Sequence, residues 1–530
     1  MTDLVIRGAR LFDGTGGPER RADVAVTDGR IEAVGGPGLG GRRVLDAHGL
    51  ALSPGFVDMH AHSDLALLTE PEHLAKVAQG VTCEVLGQDG LSYAPVDERT
   101  LPQLRRAVAG WNGDPPGFDW DWRSVGGYLD RLDRGIAVNT CYLVPHGTLR
   151  MLAMGWAARP AEEAELARMR ELLAQGLAEG AVGLSAGLTY PPGMYAPDAE
   201  LVELCRVVAA HGGFFAPHHR SYGAGALAAY AQMIEVARRA DCPLHLAHAT
   251  LNFGVNKGRS GELLALLDAA LDAGLDLTLD SYPYLPGSTT LAALLPSWAA
   301  EGGPEATLAR LREPAALARI RHDLEVVGSD GCHGVPVEWE TISVSGSRDH
   351  TAVGLTVAAL AARAHRAPFD VYRELLLADE LSTTILQLVG DEENVRAVMR
   401  HRAHTGGSDG LLGAARPHPR AFGTFPRYLG HYVRELGVLG LAECVAHLTG
   451  RPARRLGLAG RGLVRPGHHA DLVLFDPDTV ADTATFEEPR QPPTGLPYVL
   501  VGGVTVLDDG RPTGALPGRA LRRRPDGTVR

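Results

Sequence analysis

The sequence predicts an α/β protein built on a (β/α)8, TIM-like barrel, with a small β-sandwich domain formed from both termini and an inserted lid. Three patterns predict this fold. The middle of the chain alternates apolar strands with Ala- and Leu-rich helices, which is typical of βα units around a parallel sheet. Both ends carry short alternating strands broken by turns, and a turn-rich stretch interrupts the middle region.

The terminal segments, residues 1–52 and 456–530, are predicted to form the two parts of the β-sandwich. Near the amino end, the pair Asp28-Gly29 separates two alternating segments, which is a strong hairpin signal. Short strand-like segments recur near the carboxyl end, in Asp471–Asp476 and Tyr498–Val506. We therefore expect both ends to share one β domain.

Residues 53–455 read as the barrel. The helical pattern of Ala161–Glu179 is followed by the apolar segment Val182–Ser185, and the same helix-then-strand order recurs downstream. Eight βα units with insertions fit this length better than an open sheet. No GxGxxG motif follows a strand, so the sequence argues against a dinucleotide site.

The stretch from about 286 to 379 lacks this repeated order of helix and strand. It contains the turn-rich runs Gly302-Gly303-Pro304 and Gly328-Ser329-Asp330-Gly331, with one helix predicted over Val353–His365. Insertions above a barrel often act as lids. We expect this segment to cover the barrel as an irregular lid.

Composition excludes several classes of function. The 530 residues are 45% hydrophobic and 22% charged, with a formal net charge of −12. A nucleic-acid-binding protein would need a basic stripe, which is not evident. No apolar run approaches a membrane span and the amino terminus lacks a signal-peptide pattern, so we expect a cytoplasmic protein with no membrane or nucleic-acid partner. The six cysteines are scattered without CxxC spacing and predict reduced, buried side chains.

The short run His60-Ala61-His62 follows an apolar strand segment. Side chains at i and i+2 of an extended strand project from the same face, so both imidazoles can converge on one point. Imidazole is a common ligand of zinc and its neighbours in the first transition series. The pair predicts half of a metal site, although two ordinary histidines would give the same pattern.

Two further histidines end predicted strands. Barrel enzymes place their chemistry at the carboxyl ends of the strands. His218 and His248 meet that condition. By the alternation of side chains, His219 points away from His218, and His245 lies earlier in its strand, so we expect both to be structural.

Several motifs together resemble the amidohydrolase superfamily, and more closely its N-acyl-D-amino-acid deacylase (D-aminoacylase) branch. Any one of them would be weak by itself, but the set spans nearly the whole chain. The matching runs are Pro54–Asp64, Gly80-Val81-Thr82, Gly183–Gly193, Asp280–Tyr284, Ser408-Asp409-Gly410, His418-Pro419-Arg420 and Gly423–Arg427.

The resemblance implies a centre of one or two zinc ions. His60 and His62 would bind at one position, His218 and His248 at the other, with Asp409 as the catalytic carboxylate and a further ligand. The branch usually supplies a cysteine after its second strand, but here the turn reads Gly87-Gln88-Asp89-Gly90. A carboxylate is a competent zinc ligand, so we predict that Asp89 replaces the cysteine. The exchange of thiolate for oxygen hardens the site and could admit Mn2+, Co2+ or Fe2+.

Nearby residues offer alternatives to these assignments. Cys83 and Glu84 could replace Asp89, but both lie lower in the strand, and Glu84 would need a buried partner. A second Ser-Asp-Gly run places Asp330 in competition with Asp409. Asp409 is favoured because it lies where the last barrel strand should end.

The implied reaction is hydrolysis of the amide bond of an N-acyl-D-amino acid, a small molecule, to a carboxylate and a D-amino acid. A water activated by the metal would attack the carbonyl, and Asp409 would act as general base and then general acid. The substrate carboxylate needs a cation and hydroxyl donors, for which we predict Lys257, Tyr282 and Ser288. Arg348 and Arg420 are weaker candidates.

Other readings stay open at this point. A D-dipeptidase, an N-carbamoyl hydrolase or a cyclic-amide hydrolase of the same superfamily is an alternative, although cyclic-amide relatives use a carboxylated lysine and no lysine occupies a strand end. A non-catalytic scaffold with this fold is the alternative of another class. The sequence does not indicate the oligomeric state.

Overall fold

The computed structural model describes residues 2–36 and 38–530, and within them eight parallel strands form a barrel in chain order. The eighth strand lies against the first, where the Met59 amide donates to the Gly406 carbonyl over 3.2 Å and the Asp409 amide to the His60 carbonyl over 2.8 Å. The predicted barrel is confirmed. Its strands are Phe56–Asp58, Val81–Leu86, Asn139–Pro145, Gly183–Gly187, Phe214–His218, Leu244–Leu246, Leu277–Ser281 and His404–Gly406.

The barrel strands are short apolar segments that are buried along almost their whole length, as expected for a parallel sheet covered by helices. Local signals set the helix ends; for example, Glu162 and Glu165 form a capping box at the start of the helix predicted over Ala161–Glu179. The α-helices outside the insertion are Ala66–Thr69, Leu74–Val77, Thr100–Ala107, Ala109–Asn112, Val125–Leu132, His146–Met154, Glu163–Ala178, Asp198–Ala210, Ala226–Ala240, Ser260–Asp272, Glu392–Met399, Arg420–Arg427, Leu441–Leu448 and Gly450–Leu456, with a π-helix over Tyr428–Glu435.

Strands from both termini build a second sheet, as predicted. Asp28 and Gly29 both have positive φ and join the second and third strands as a hairpin. The two halves of the chain meet where Ala51–Pro54 pairs antiparallel with Leu472–Phe475. Nine described strands belong to this sheet: Leu4–Leu11, Arg20–Thr27, Arg30–Gly35, Arg43–Asp46, Ala51–Pro54, Leu472–Phe475, Tyr498–Val501, Val504–Asp508 and Arg511–Pro512.

The insertion lies between the seventh and eighth barrel strands and is more regular than the sequence suggested. Three antiparallel strands and several helices enclose a hydrophobic cluster of their own, which includes Leu291, Ile342 and Tyr372. Its last strand, Thr384–Leu388, lies wholly beyond the predicted end at residue 379. The elements are the strands Pro286–Thr290, Ile342–Gly346 and Thr384–Leu388, and the helices Ser297–Ala300, Pro304–Arg310, Pro314–His322, Val357–Ala364 and Pro368–Ala378.

Two expectations from composition concern the whole described chain. Across residues 2–36 and 38–530, helices with both the length and the apolar character needed to cross a bilayer are absent. All six cysteines are buried and free.

Candidate metal centre

The six predicted ligand residues meet at the carboxyl end of the barrel. Each follows or ends a different strand, except that His60 and His62 share the first. All six side chains belong to residues that are at most 7% exposed, although each carries a charge or an imidazole. Buried groups of this kind need partners or a metal ion. The residues are His60, His62, Asp89, His218, His248 and Asp409.

The ligand atoms fall into two overlapping groups. One consists of His60, His62, Asp89 and Asp409, and the other of Asp89, His218 and His248. Within each group the candidate ligand atoms all lie within 4.8 Å of one another. Asp89 belongs to both groups, so the structure arranges two adjacent positions around one carboxylate.

Asp89 faces four imidazoles. Its Oδ1 lies 3.6 Å from Nε2 of His60 and of His248, and its Oδ2 lies 3.6 Å from His62 Nε2 and His218 Nδ1. Burial raises the pKa of this carboxyl, but the charges of His60, His218 and His248 outweigh burial and hold it well below its usual range. Asp89 is therefore an anion.

The backbone around Asp89 is tightly constrained. Asp89 has a φ of 54°, a left-handed conformation that aspartate tolerates better than most residues. A Cβ atom at Gly187, on the fourth strand, would overlap the Asp89 carbonyl oxygen. Glycine at position 187 therefore allows the turn that carries Asp89 to lie over the barrel mouth.

The geometry of the donors fits a metal ion. Two ligand atoms that are each about 2.0 to 2.1 Å from a tetrahedral zinc ion lie roughly 3.3 Å apart. In the first group, His62 Nε2 lies 3.2 Å and His60 Nε2 3.7 Å from Asp409 Oδ1. Both ring nitrogens of His60 and Oδ1 of Asp89 are buried without a hydrogen-bond partner among the described residues. A cation among these atoms would satisfy them.

Asp409 joins the metal group to a buried arginine. Its loop follows the eighth strand, and Asp409 has a φ of 47°. Burial raises the pKa of its carboxyl, but Arg420 and His60 lower it further than burial raises it, so Asp409 is ionised. Arg420 Nη2 lies 2.9 Å from Asp409 Oδ2. Burial lowers the pKa of His62, yet Asp409 and Asp89 outweigh this effect and raise it to about 10.

Further groups orient the candidate ligands. Thr189 Oγ1 lies 2.7 Å from His218 Nε2, which leaves the other ring nitrogen facing Asp89. Asp280 Oδ2 lies 3.6 Å from His60 Nδ1, and its Oδ1 accepts the His248 amide over 3.0 Å. Such partners fix ring orientation in metal sites. Sequence reasoning gave Thr189 and Asp280 no role, although a carboxylate in the apolar strand Leu277–Ser281 was a signal.

Comparison with known proteins identifies the family. A sequence model of the amidohydrolase family matches residues 43–507. D-aminoacylase of Alcaligenes xylosoxydans xylosoxydans is 37% identical over 523 residues, 98% of each chain. This chain belongs to the amidohydrolase family. The resemblance to its D-aminoacylase branch is confirmed.

Solved amidohydrolase structures agree with this placement. A D-aminoacylase structure described for its binuclear metal centre is 34% identical, covers 99% of this chain and 100% of that chain, and superimposes with a TM-score of 0.84. N-acyl-D-glutamate deacylase from Bordetella bronchiseptica, complexed with zinc and a phosphonate mimic of the tetrahedral intermediate, is 35% identical, covers 98% and 99% of the two chains, and gives a TM-score of 0.83.

Of the predicted substrate residues of this amidohydrolase, Tyr282 and Ser288 line the cavity beside the ligands. Lys257 does not. The neighbouring Asn256 is buried and donates to the carbonyl oxygens of Tyr222 and Gly223, and the turn leaves Lys257 exposed.

Arg348 also lies away from the cavity. Its side chain is 62% exposed, donates to the Ala378 carbonyl over 3.0 Å and lies 3.5 Å from Glu380. The prediction that Lys257 and Arg348 bind the substrate is therefore withdrawn. Sequence position alone did not reveal which way these two long side chains turn.

Arg420 is the cation nearest the site. It is fully buried, and its guanidinium carbon lies 4.4 Å from the centre of the Tyr282 ring. Nε and Nη1 of Arg420 have no hydrogen-bond partner among the described residues. Arg420, which the sequence analysis gave as a weaker candidate than Lys257, therefore lies where Lys257 was expected.

The rejected alternatives have other partners. Asp330 is exposed, and its carboxylate accepts the Ser297 amide in the insertion. Glu84 lies 2.8 Å from Lys76 Nζ and 2.9 Å from His73 Nε2, which supplies the buried partner that its position required. Cys83 packs in an apolar cluster.

The two histidines expected to be structural are also accounted for. His245 Nε2 lies 3.0 Å from Asp280 Oδ2. His219 packs against the tilted rings of Tyr222 and Tyr230, with centroids 4.0 and 4.1 Å from its own. Neither belongs to the candidate ligand groups.

Proposed function

We propose that this chain is a metal-dependent hydrolase that cleaves the amide bond of N-acyl-D-amino acids, releasing a carboxylate and a D-amino acid. The observation that carries the proposal is the pair of histidine and aspartate groups that share Asp89, with Asp409 beside them and paired to Arg420. Full-length relatives named D-aminoacylase and N-acyl-D-glutamate deacylase support the choice of substrate.

The proposed ligands divide between two positions. His60, His62 and Asp409 would hold one ion, His218 and His248 the other, and Asp89 would contribute to both. When bound, zinc or a similar divalent ion activates a water and polarises a carbonyl oxygen. Four imidazoles and two carboxylates are also compatible with Mn2+, Co2+ or Fe2+.

Asp409 is the proposed general base and acid. It is ionised and so ready to accept a proton, and its Oδ1 faces the histidines while Oδ2 faces Arg420. After accepting the proton of the attacking water, it would return that proton to the departing amine. The Arg420 charge keeps the carboxyl ionised between turnovers.

The substrate carboxylate is expected to bind near Tyr282 and Ser288, with Arg420 behind them. Burial raises the pKa of Tyr282 to about 12, opposed by Arg420, so its hydroxyl stays protonated and can donate. Ser288 lies on the first strand of the insertion and lines the same cavity. Hydroxyl donors backed by a buried cation suit a carboxylate.

The cyclic-amide alternative lacks its usual ligand. The sequence contains two lysines, Lys76 and Lys257. Lys76 is buried between Asp58 and Glu84, and Lys257 is exposed. Neither can serve as a carboxylated lysine between two ions.

A hydrolysis panel tests the proposal. The purified protein, loaded with zinc, is assayed with N-acetyl-D- and N-acetyl-L-leucine and methionine, a D-dipeptide, an N-carbamoyl-D-amino acid and dihydrouracil. We expect release of acetate from the D-acyl substrates at least 100-fold faster than from the L-forms. Hydrolysis of only the L-forms, or of only the cyclic amide, would contradict the assignment.

A further inference from the structure

His333 brings the insertion into the catalytic cavity. It lines the same cavity as Asp89, His248 and Asp409, although it lies in the turn Ser329–Gly334 of the insertion.

 The His333 ring stands at 88° to Tyr222, with centroids 5.6 Å apart, and lies 5.8 Å from Phe253.

The turn that carries His333 is clamped to the barrel. The His333 carbonyl accepts the Ala224 amide over 3.0 Å and Ser221 Oγ over 3.2 Å, both from the loop after the fifth strand. A Cβ atom at Gly223 would lie 2.6 Å from that carbonyl oxygen, so only glycine permits this approach. His333 also has a positive φ of 58°. The position of the imidazole is therefore built into the contact between insertion and barrel.

His333 has polar neighbours on the cavity wall. Asn252 and Gln387 line the same cavity. Asn252 Oδ1 accepts a hydrogen bond from Thr250 over 2.9 Å, which leaves its NH2 group as a donor for a ligand. His333 Nδ1 is buried without a partner among the described residues. Burial, together with the nearby His218 and His248, lowers the pKa of His333 to about 3, so its imidazole is neutral.

The described cavity wall near His333 offers no basic side chain for an anionic group. Among the described residues that line the cavity there is no lysine or arginine. Arg420, the arginine paired with Asp409, does not line the cavity and is fully buried beside Tyr282. A carboxylate at the far end of a substrate side chain would lose its hydration without gaining a cation, which is costly.

Strand pairing places this wall beside the expected carboxylate position. Gly287 pairs with Gln387, and Ser288 pairs with Leu386, in the insertion sheet. The Phe253 amide donates to the Val389 carbonyl over 2.6 Å, which joins the Asn252 loop to the same strand end. The α-carboxylate and the side chain of an amino acid leave the same carbon. Ser288 and Gln387 both line the cavity, so a substrate whose carboxylate lies at Ser288 has its side chain in the same cavity as Gln387.

We propose that His333, Gln387 and Asn252 form a subsite that hydrogen-bonds the uncharged polar end of the substrate side chain, as in an N-acyl-D-glutamine. The proposal rests on the proposed function. Neutral donors and acceptors satisfy an amide, and a site built to hydrogen-bond one substrate rejects analogues that leave its polar groups unpaired.

Isosteric substrates test the subsite. N-acetyl-D-glutamine, N-acetyl-D-glutamate and N-acetyl-D-leucine are assayed with the zinc-loaded protein and with His333→Phe, Gln387→Leu and His350→Phe, a matched control at an exposed histidine of the insertion. We expect kcat/KM for the glutamine substrate to exceed that for the glutamate substrate at least tenfold. The first two variants should lose at least tenfold on the glutamine substrate, mainly through KM, and stay within about threefold on the leucine substrate.

The outcomes separate the two proposals. Equal rates on the glutamine and glutamate substrates, or His333→Phe and Gln387→Leu that retain the wild-type preference, would overturn the subsite while hydrolysis of N-acetyl-D-leucine upholds the proposed function. A protein that hydrolyses none of the three D-substrates contradicts the proposed function itself.

Discussion

Arg420 Nη2 lies 2.9 Å from Asp409 Oδ2, in a buried ion pair at the barrel mouth. The other oxygen of this carboxylate lies 3.2 Å from His62 Nε2. One side of Asp409 therefore faces the candidate metal ligands and the other faces a fixed positive charge. This arrangement keeps the carboxyl ionised and fixes its direction, as a group that exchanges a proton with a substrate requires.

The Asp409→Asn variant should lose hydrolytic activity. An amide cannot accept the water proton, and general acid–base catalysis contributes roughly 10²- to 10⁴-fold. We expect kcat for N-acetyl-D-methionine to fall by at least 100-fold. Asp330→Asn changes the other Ser-Asp-Gly aspartate, which is exposed, and should keep full activity. An Asp409→Asn protein with normal metal content and full rate would refute the role.

Chelation should inactivate and destabilise the protein. In the absence of a metal ion, the metal-binding side chains repel one another or lack partners, so binding of an ion stabilises the folded protein. An ion present at 100 times its Kd contributes about 2.7 kcal/mol. We expect activity to disappear after EDTA and gel filtration, the Tm to fall, and added zinc to restore both. Unchanged Tm and unchanged activity after complete removal of metal would argue against a metal centre.

Much of the fold and the centre could be predicted because the signals are local. Periodic apolar segments marked the strands and helices, and Asp28-Gly29 marked a hairpin. The structure brings all six predicted ligands together because each lies at a strand end, and parallel strands of a barrel place those ends on one face.

Long side chains and the insertion could not be predicted in the same way. The direction of Lys257 depends on the burial of its neighbour Asn256. The contact of Arg420 with Tyr282 joins segments that are more than 130 residues apart in the sequence. The order within the insertion comes from its own hydrophobic cluster. Such tertiary contacts produce no periodic pattern of residues in the sequence.

Lys76 should be essential to stability. It is fully buried and lies 2.6 Å from Asp58, 2.8 Å from Glu84 and 2.8 Å from Ser408 Oγ. Lys76→Met would leave both carboxylates without their cation, which costs about 3–5 kcal/mol. Lys257→Met, at an exposed position, should change the free energy of unfolding by less than about 0.5 kcal/mol. Urea unfolding checks this, and equal effects of the two substitutions would contradict it.

Another buried ion pair should make stability depend on pH. Glu200 lies 2.8 Å from His146 Nε2 and contacts Arg150. Burial raises the pKa of Glu200, but His146 and Arg150 outweigh it and lower the pKa from its ordinary value of 4.5 to about 2. Because the folded pKa is depressed, the stabilisation is fully present above pH 4.5 and is lost as the pH falls toward 2.

The Glu200→Gln variant isolates this contribution. One pKa unit corresponds to 1.36 kcal/mol, so the shift is worth about 3 kcal/mol. We expect the difference in free energy of unfolding between wild type and variant to be constant from pH 6 to 8 and to shrink below pH 4.5. Glu171→Gln, at an exposed pair with Arg168, should show no such change. A difference that stays constant down to pH 3.5 would contradict the assigned pKa.

The metal content and activity of Asp89 variants test the central claim most directly. Asp89 faces His60, His62, His218 and His248 at 3.6 Å each and belongs to both ligand groups. After dialysis against chelator-treated buffer with limiting zinc, we expect Asp89→Asn to hold much less zinc than wild type and to lose at least 100-fold in kcat/KM for N-acetyl-D-methionine. Asp89→Cys should retain zinc, because thiolate is also a zinc ligand. An Asp89→Asn protein with wild-type zinc content and wild-type rate would contradict the account.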